Sequence, residues 1–361
     1  MERYNRHIIL SEIGQKGQDK LSNAKVFVIG AGGLGCSALQ YLAAAGIGTL
    51  GIIDFDVVEV SNLQRQILFG SSSIGQNKAI AAKKRLEDLN DSISIIAYPI
   101  KLTHQNALDL FSQYDIIVDG SDNFETRYLA NDACILTSKP LVFAAIYKFE
   151  GQVSVFNYNA GPNYRCLFPS SPKKGMVPNC SEVGVLGVLP GIIGSLQTNE
   201  VLKIILEIGD VLSGKLFCYN ALSLQTSILK IIRNETSFQS VLERKKDFYK
   251  TQTNFSCDTE VNSVSIKNVS FDKTLQLIDV REPHEQPKIT EIEVTYIPLS
   301  QLESQLHKIN RVGTKVIFCQ SGIRSKRAVQ LLNTLGIVNC YRLNEGASEL
   351  KNYINTPNKT H

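Results

Sequence analysis

The stretch Val26–Gly35, "VFVIGAGGLG", decides how the chain is read. An apolar β-rich run meets a turn in which Gly30, Gly32 and Gly35 stand in the pattern G-x-G-x-x-G. Glycines at this spacing permit a tight turn and let a phosphate approach backbone N–H groups at the start of the following helix. A second β-rich run ends at Asp54, where a carboxylate normally takes ribose hydroxyls. These features point to a nucleotide, and on their own they leave NAD, FAD and ATP open.

The residues after Asp54 discriminate. "SNLQRQ" (61–66) brings Asn62, Arg65 and Gln66 directly behind the ribose position, and Lys78 opens the next helix. Two cations and several amides beside a phosphate cradle suit a triphosphate, whereas hydride transfer needs a flat apolar slot. Asp122 follows the run "DIIVDG", and a carboxylate there could hold Mg²⁺, which binds phosphates through one or two carboxylates and water. All these positions fall at strand ends, where open α/β sheets bind ligands.

Around this stretch, strand and helix patterns alternate from residue 25 to about 156. That alternation predicts a Rossmann-like, doubly wound, mostly parallel sheet with helices on both faces. In "QNKAIAAKKRLEDLN" (76–90), Ala79, Ala82, Leu86 and Leu89 recur at three- and four-residue spacing, as one buried stripe. A Pro-, Ser- and Gly-rich connection occupies about 160–182 and carries Cys180; long irregular loops inside a domain are often functional. Residues 234–264 are polar without sustained periodicity and read as an inter-domain linker. A smaller α/β unit follows over 265–361.

Composition narrows the class. The 361 residues carry a formal charge of only +4, too small and dispersed to argue for nucleic acid. The start "MERYNRHIIL" has no apolar signal core, and "GVLGVLPGIIGSLQ" (184–197) is too short to span a bilayer, so it reads as a core element. Eight cysteines without a CxxC pair imply a reducing cytoplasm rather than a disulfide framework.

In the smaller unit, "VIFCQSGIRSKRAV" (316–329) sets Cys319 at a strand end, then a loop of Gln320, Ser321, Gly322 and Ile323, then Arg324 in the first turn of a helix. Inward-pointing N–H groups and the helix dipole favour an anion on the cysteine, so the thiol should acidify. Phosphatase loops use C-x₅-R; the C-x₄-R spacing here is one residue tighter and suits a persulfide sulfur. Asp279 and Arg281 in "LQLIDVREPHE" read as a structural ion pair.

Taken in order, "RYNRHIIL", "GAGGLG", "IIDFDVVEVSNLQRQ", "GQNKA", "DGSDNFETRYLAND" and "NCSEVGVLGVLPGIIGSLQTNEVLK" resemble the ubiquitin-activating-like ThiF/MoeB/HesA family over residues 1–233. The smaller unit resembles the rhodanese sulfurtransferases, although its closing motif "LNEGASEL" lacks the paired glycines and a tryptophan. The resemblance implies ATP-dependent adenylation of the C-terminal glycine of a ubiquitin-like sulfur carrier ending in Gly-Gly. Gly33, Asp54, Ser61, Asn62, Leu63, Gln64, Arg65, Lys78, Asp122 and Asn123 would then line the ATP site. Arg6 would serve the phosphates of a neighbouring subunit in a homodimer, and Cys180 would be the mobile cysteine that forms a thioester or a mixed disulfide. Cys319 would take sulfur from a donor such as a cysteine desulfurase and pass it on to give a thiocarboxylate. A MoaD-like carrier of molybdopterin biosynthesis is favoured over a ThiS-like or tRNA-thiolation carrier. Many family members bind structural zinc through two CxxC pairs; here Asn163 replaces one such cysteine and leaves Cys166 alone, so zinc is expected to be lost. The alternatives are a nicotinamide- or flavin-dependent oxidoreductase, and a carrier-binding module with vestigial chemistry.

Overall fold

A computed structural model describes residues 2–172, 184–249, 261–271, 274–320 and 322–356. The chain divides into two compact units, Met1–Thr253 and Asn254–His361. Each is α/β, as the sequence predicts.

The first unit is built on an eight-stranded sheet in the order β3-β2-β1-β4-β5-β6-β7-β8. Its strands are β1 (Lys25–Ile29), β2 (Thr49–Ile53), β3 (Ser94–Tyr98), β4 (Ile116–Asp119), β5 (Leu141–Tyr147), β6 (Glu150–Phe156), β7 (Lys215–Asn220) and β8 (Thr226–Lys230). The five strands β3 to β5 pair in parallel, in register from Lys25↔Thr49 to Ile29↔Ile53 between the first two. The remaining pairings are antiparallel. β1 and β4 are buried almost end to end, as expected for strands covered on both faces.

Helices α1 (Gly14–Asn23), α2 (Gly33–Ala45), α3 (Lys78–Leu89), α4 (Phe124–Thr137) and α5 (Leu189–Leu206) cover the sheet. In α3, Ala79, Ala82 and Leu86 are fully buried, but Leu89 in the last turn is 40 % exposed, so the stripe ends one turn early. The apolar run around Pro190 forms the first half of α5, with Leu189, Ile193 and Gln197 fully buried. Among the described residues, no helix is long and apolar enough to cross a membrane.

The expected linker begins later than residue 234. Asn234 caps a helix, α6 (Glu235–Glu243), by accepting the Thr236 N–H at 3.0 Å. Phe238 and Val241 of α6 are buried against Ile135, and Phe248 joins the main core. Two apolar anchors a turn apart suffice to dock a helix this short, and they give too little periodicity to stand out in a polar segment.

The second unit holds a five-stranded, all-parallel sheet in the order β11-β10-β12-β13-β9. Its strands are β9 (Ser263–Val264), β10 (Leu275–Asp279), β11 (Thr295–Tyr296), β12 (Thr314–Phe318) and β13 (Cys340–Leu343), with helices α7 (Ile323–Thr334) and α8 (Ala347–Asn355).

Candidate functional site

Strand order reverses between β1 and β4, and the glycine-rich turn lies at their carboxyl ends. Gly30 leaves β1 with φ +86°, and a Cβ on Gly35 would sit 1.9 Å from the Gly30 carbonyl oxygen. Only glycine at both positions allows the chain to double back into α2. A Cβ on Gly33 would press on Pro190 and lie 3.7 Å from Arg65 Cγ, which brings α5 and the "SNLQRQ" segment to the turn. Over Gly32 there is open space: a Cβ there would meet nothing within 4 Å.

Asp54 reaches into this turn from β2. Its carboxylate accepts the Ala31 N–H at 2.8 Å and the Asp56 N–H at 2.9 Å. Burial nevertheless pushes its pKa up, against those two bonds and nearby Lys78. Asn62 is buried and closes a capping box with Glu59, while Ser61 bonds Glu59 at 3.1 Å. The Arg65 guanidinium is turned toward the same segment, donating to the Ser61 carbonyl at 2.9 Å. Leu63 packs on the core, and Gln64 abuts Gly187. Lys78, only 7 % exposed, donates to Asp56 at 3.1 Å. Asp54 on the Ala31 N–H, Arg65 beside Gly33, and Lys78 joined through Asp56 to Asp54 bring the three charges to this turn; burial pushes the nearby Cys36 thiol up to about 12.

From β4, Asp122 stands exposed, and Asn123 caps α4 by accepting the Thr126 N–H at 2.9 Å. Beneath them Asp119 is fully buried, and its pKa is raised by that burial. Gln197 of α5 donates to the Asp119 and Val142 carbonyls at 2.7 and 2.9 Å, locking β4 and β5 under the loop. Sequence reasoning missed Asp56, Asp119 and Gln197. The pair D-x-D in "IIDFDV" was the available signal for Asp56. Arg6 is exposed on a segment tied down by Arg3, which donates to the Leu89 carbonyl at 2.8 Å, and by Tyr4, packed against Gly46.

Cys180 lies outside the described residues. The flanks of its segment are placed: Tyr128 donates to the Phe168 carbonyl at 3.0 Å on one side, and Val185 bridges Lys148 on the other.

Asn163, Cys166, Asn234 and Ser237 meet at the starts of two helical turns, in N-x-x-C and N-x-x-S spacing. The Cys166 sulfur accepts the Asn234 N–H at 3.3 Å and the Asn163 N–H at 3.4 Å, and lies 3.2 Å from the Ser237 hydroxyl. Asn163 also donates to that hydroxyl at 3.0 Å. The sequence showed the lone Cys166, but not that Asn234 and Ser237 would join it. Among the described residues, no group of three or more His, Cys, Asp or Glu side chains could hold a metal ion.

In the second unit Cys319 directly follows β12, fully buried, with the Ser325 N–H directed at its sulfur at 3.4 Å. Gly322 takes φ +79° and opens α7; Ser321 and the side chain of Ile323 lie outside the described residues. Gly346 lets the segment before α8 close on the loop, since a Cβ there would sit 2.3 Å from the Gln320 carbonyl oxygen. Asp279 and Arg281 form a fully buried pair at 2.8 Å, the structural role expected of them. Breaking such a pair from one side costs about 3–5 kcal/mol. Arg324 is not a free cation at the loop: its guanidinium pairs with Glu285, which it holds below the usual carboxylate range.

The two units match two family models: the ThiF family over residues 4–240 and the rhodanese-like domain over residues 265–353. The chain belongs to the ThiF family and is an enzyme of the adenylyltransferase and sulfurtransferase type. It is 40 % identical over 359 residues to a probable adenylyltransferase/sulfurtransferase MoeZ of Mycobacterium tuberculosis, covering 95 % of this chain and 91 % of that one. It is likewise 40 % identical over 353 residues to the adenylyltransferase and sulfurtransferase MOCS3 of Xenopus laevis, covering 92 % and 78 %. The first unit alone is 51 % identical over 239 residues to a sulfur carrier protein adenylyltransferase of Thermus thermophilus, covering 65 % of this chain and 88 % of that one. Among solved structures, E. coli MccB shares the fold with a TM-score of 0.58 at 24 % identity, covering 64 % and 72 %.

Proposed function

We propose that the first unit adenylates the C-terminal glycine of a ubiquitin-like sulfur carrier, and that Cys319 then supplies sulfur to the activated tail. The observation that carries the first half is the meeting of Asp54, Arg65 and Lys78 at one glycine turn with open space over Gly32. These residues fit ATP: backbone N–H groups and two cations for the phosphates, a carboxylate for the ribose. Asn62, Asn123, Ser61, Leu63 and Gln64 would shape the rest of the pocket. Exposed Asp122 would hold the Mg²⁺ that accompanies ATP, which needs only one or two protein carboxylates besides the phosphates.

A carrier carboxylate attacks the α-phosphorus of ATP, forming the acyl-adenylate and expelling pyrophosphate. Both partners are anions, so the protein contributes position and charge neutralisation. Lys78 reaches the site with Asp56 at its back, which fixes the ammonium and lowers its net charge. Cys180 is the second thiol of the sulfur-transfer step. The favoured carrier is of the MoaD type, serving molybdopterin synthesis, and a cysteine desulfurase fits as the sulfur donor. The test is exchange of labelled pyrophosphate into ATP. It should require a carrier with an intact Gly-Gly end, and exchange that is indifferent to removal of that end would refute the reading.

Two further properties belong to the same proposal. Arg6, exposed beyond the anchored Tyr4, would act on a partner's phosphates. Exposed Phe55, Val57, Val60 and Ile67 beside the site give an apolar surface for that partner. Light scattering should report a dimer at micromolar concentration; a monomer would contradict it. The Asn163, Cys166, Asn234 and Ser237 cluster offers one thiol where a structural zinc needs four ligands, and its hydrogen bonds would do the joining. Prolonged chelation should therefore leave the unfolding midpoint unchanged, and a fall of several degrees would show that a metal is structural.

A further inference from the structure

Two of the arginines around the Cys319 loop pair with described carboxylates. Arg281 is held by Asp279, and Arg324 is held by Glu285. A further one, Arg342, lies on β13 opposite Ile317 of β12. Ile317 and Cys319 are two residues apart and pack in the same core cluster, so the pleat places Arg342 on the face that carries Cys319. Its guanidinium reaches the loop: Nη1 would be 3.6 Å from a Cβ on Gly322. Arg342 forms no ion pair with any described carboxylate. The nearby Glu345 is engaged elsewhere, by the Ser265 hydroxyl at 2.7 Å and the Ile266 N–H at 2.9 Å.

We propose that Arg342 is the cation that binds the terminal sulfur anion of a persulfide formed on Cys319. The inference rests on the sulfur-carrying role of Cys319 proposed above. In the loading step the Cys319 thiolate attacks the outer sulfur of a thiol-borne persulfide. The donor's S–S bond breaks as the new one forms, and its electron pair leaves on the donor sulfur. That sulfur takes the proton of the transferred sulfhydryl, leaving Cys319–S–S⁻. No oxidant or reductant is consumed. The product's negative charge sits one sulfur beyond Cys319, at the loop that Arg342 borders at Gly322. The Arg342 guanidinium, paired with no described carboxylate, matches this single charge, and Arg324 is turned to Glu285 instead.

The test uses the full-length protein and a low-molecular-weight cysteine persulfide, with sulfur on Cys319 followed by mass spectrometry. Arg342→Gln should load roughly ten- to a hundredfold more slowly than the parent, the range for losing a charged hydrogen bond. Arg342→Lys should recover most of the rate, because it restores the charge. Should Arg342→Gln prove less stable, Arg342→Met, which keeps the apolar stem, carries the same expectation. Equal loading by the parent and both neutral variants would overturn the assignment of Arg342. A parent protein that takes up no sulfur on Cys319 would instead overturn the sulfur-carrying role itself.

Discussion

Cys319→Ala should abolish thiocarboxylation of the carrier while leaving pyrophosphate exchange at the parent rate. The two halves of the expectation follow from the division of the chain. Cys319 belongs to a unit with its own sheet and cores, so its loss removes no group from the glycine turn of the first unit. Replacing a buried thiol by a methyl group leaves a small cavity, costing on the order of 1 kcal/mol, which the second unit should survive. Mass spectrometry of the carrier measures the first half and radiolabel exchange the second. Normal thiocarboxylation by Cys319→Ala without free sulfide would reduce the second unit to a docking module.

The complementary expectation concerns Arg65, Lys78 and Asp122. Alanine at any of the three should depress exchange by at least one to two orders of magnitude. Each loses a charged contact of about 1.5–3 kcal/mol, with a larger effect where charge develops in the transition state. Lys78→Ala carries a second penalty, because Asp56 is then left without its 3.1 Å partner and adds a bare negative charge beside the phosphates. Asp56→Asn combined with Lys78→Ala should therefore recover part of the lost rate. Asp122 is exposed, so its replacement should spare stability and affect only exchange. Exchange that persists unchanged in all three single variants would refute the site.

These expectations draw on features that the sequence displayed unequally. The glycine turn, its flanking strands and the cysteine at the end of β12 were legible because they rest on local rules: a strand, a left-handed glycine, a helix start. The parallel core from β3 to β5 followed from alternation of elements. Pairings that depend on distant residues were hidden. Asp56 behind Lys78, Glu285 across Arg324, and Arg342 beside Gly322 are brought together by loops and strands far apart in the chain, which no local pattern reports. The α6 helix was hidden for a different reason: Asn234 and Ser237 look like ordinary polar residues until Asn163 and Cys166 are folded against them.

The central claim is that sulfur reaches the carrier from Cys319 by way of an adenylated tail. The most direct test is a single turnover. The enzyme is loaded with labelled persulfide sulfur on Cys319, freed of excess donor, and mixed with carrier and ATP. Carrier and enzyme are then both weighed by mass spectrometry. The label should leave Cys319 and appear in the carrier's terminal thiocarboxylate, and only when ATP is present. Carrier that is adenylated while the label stays on Cys319, or label that moves without ATP, would contradict it.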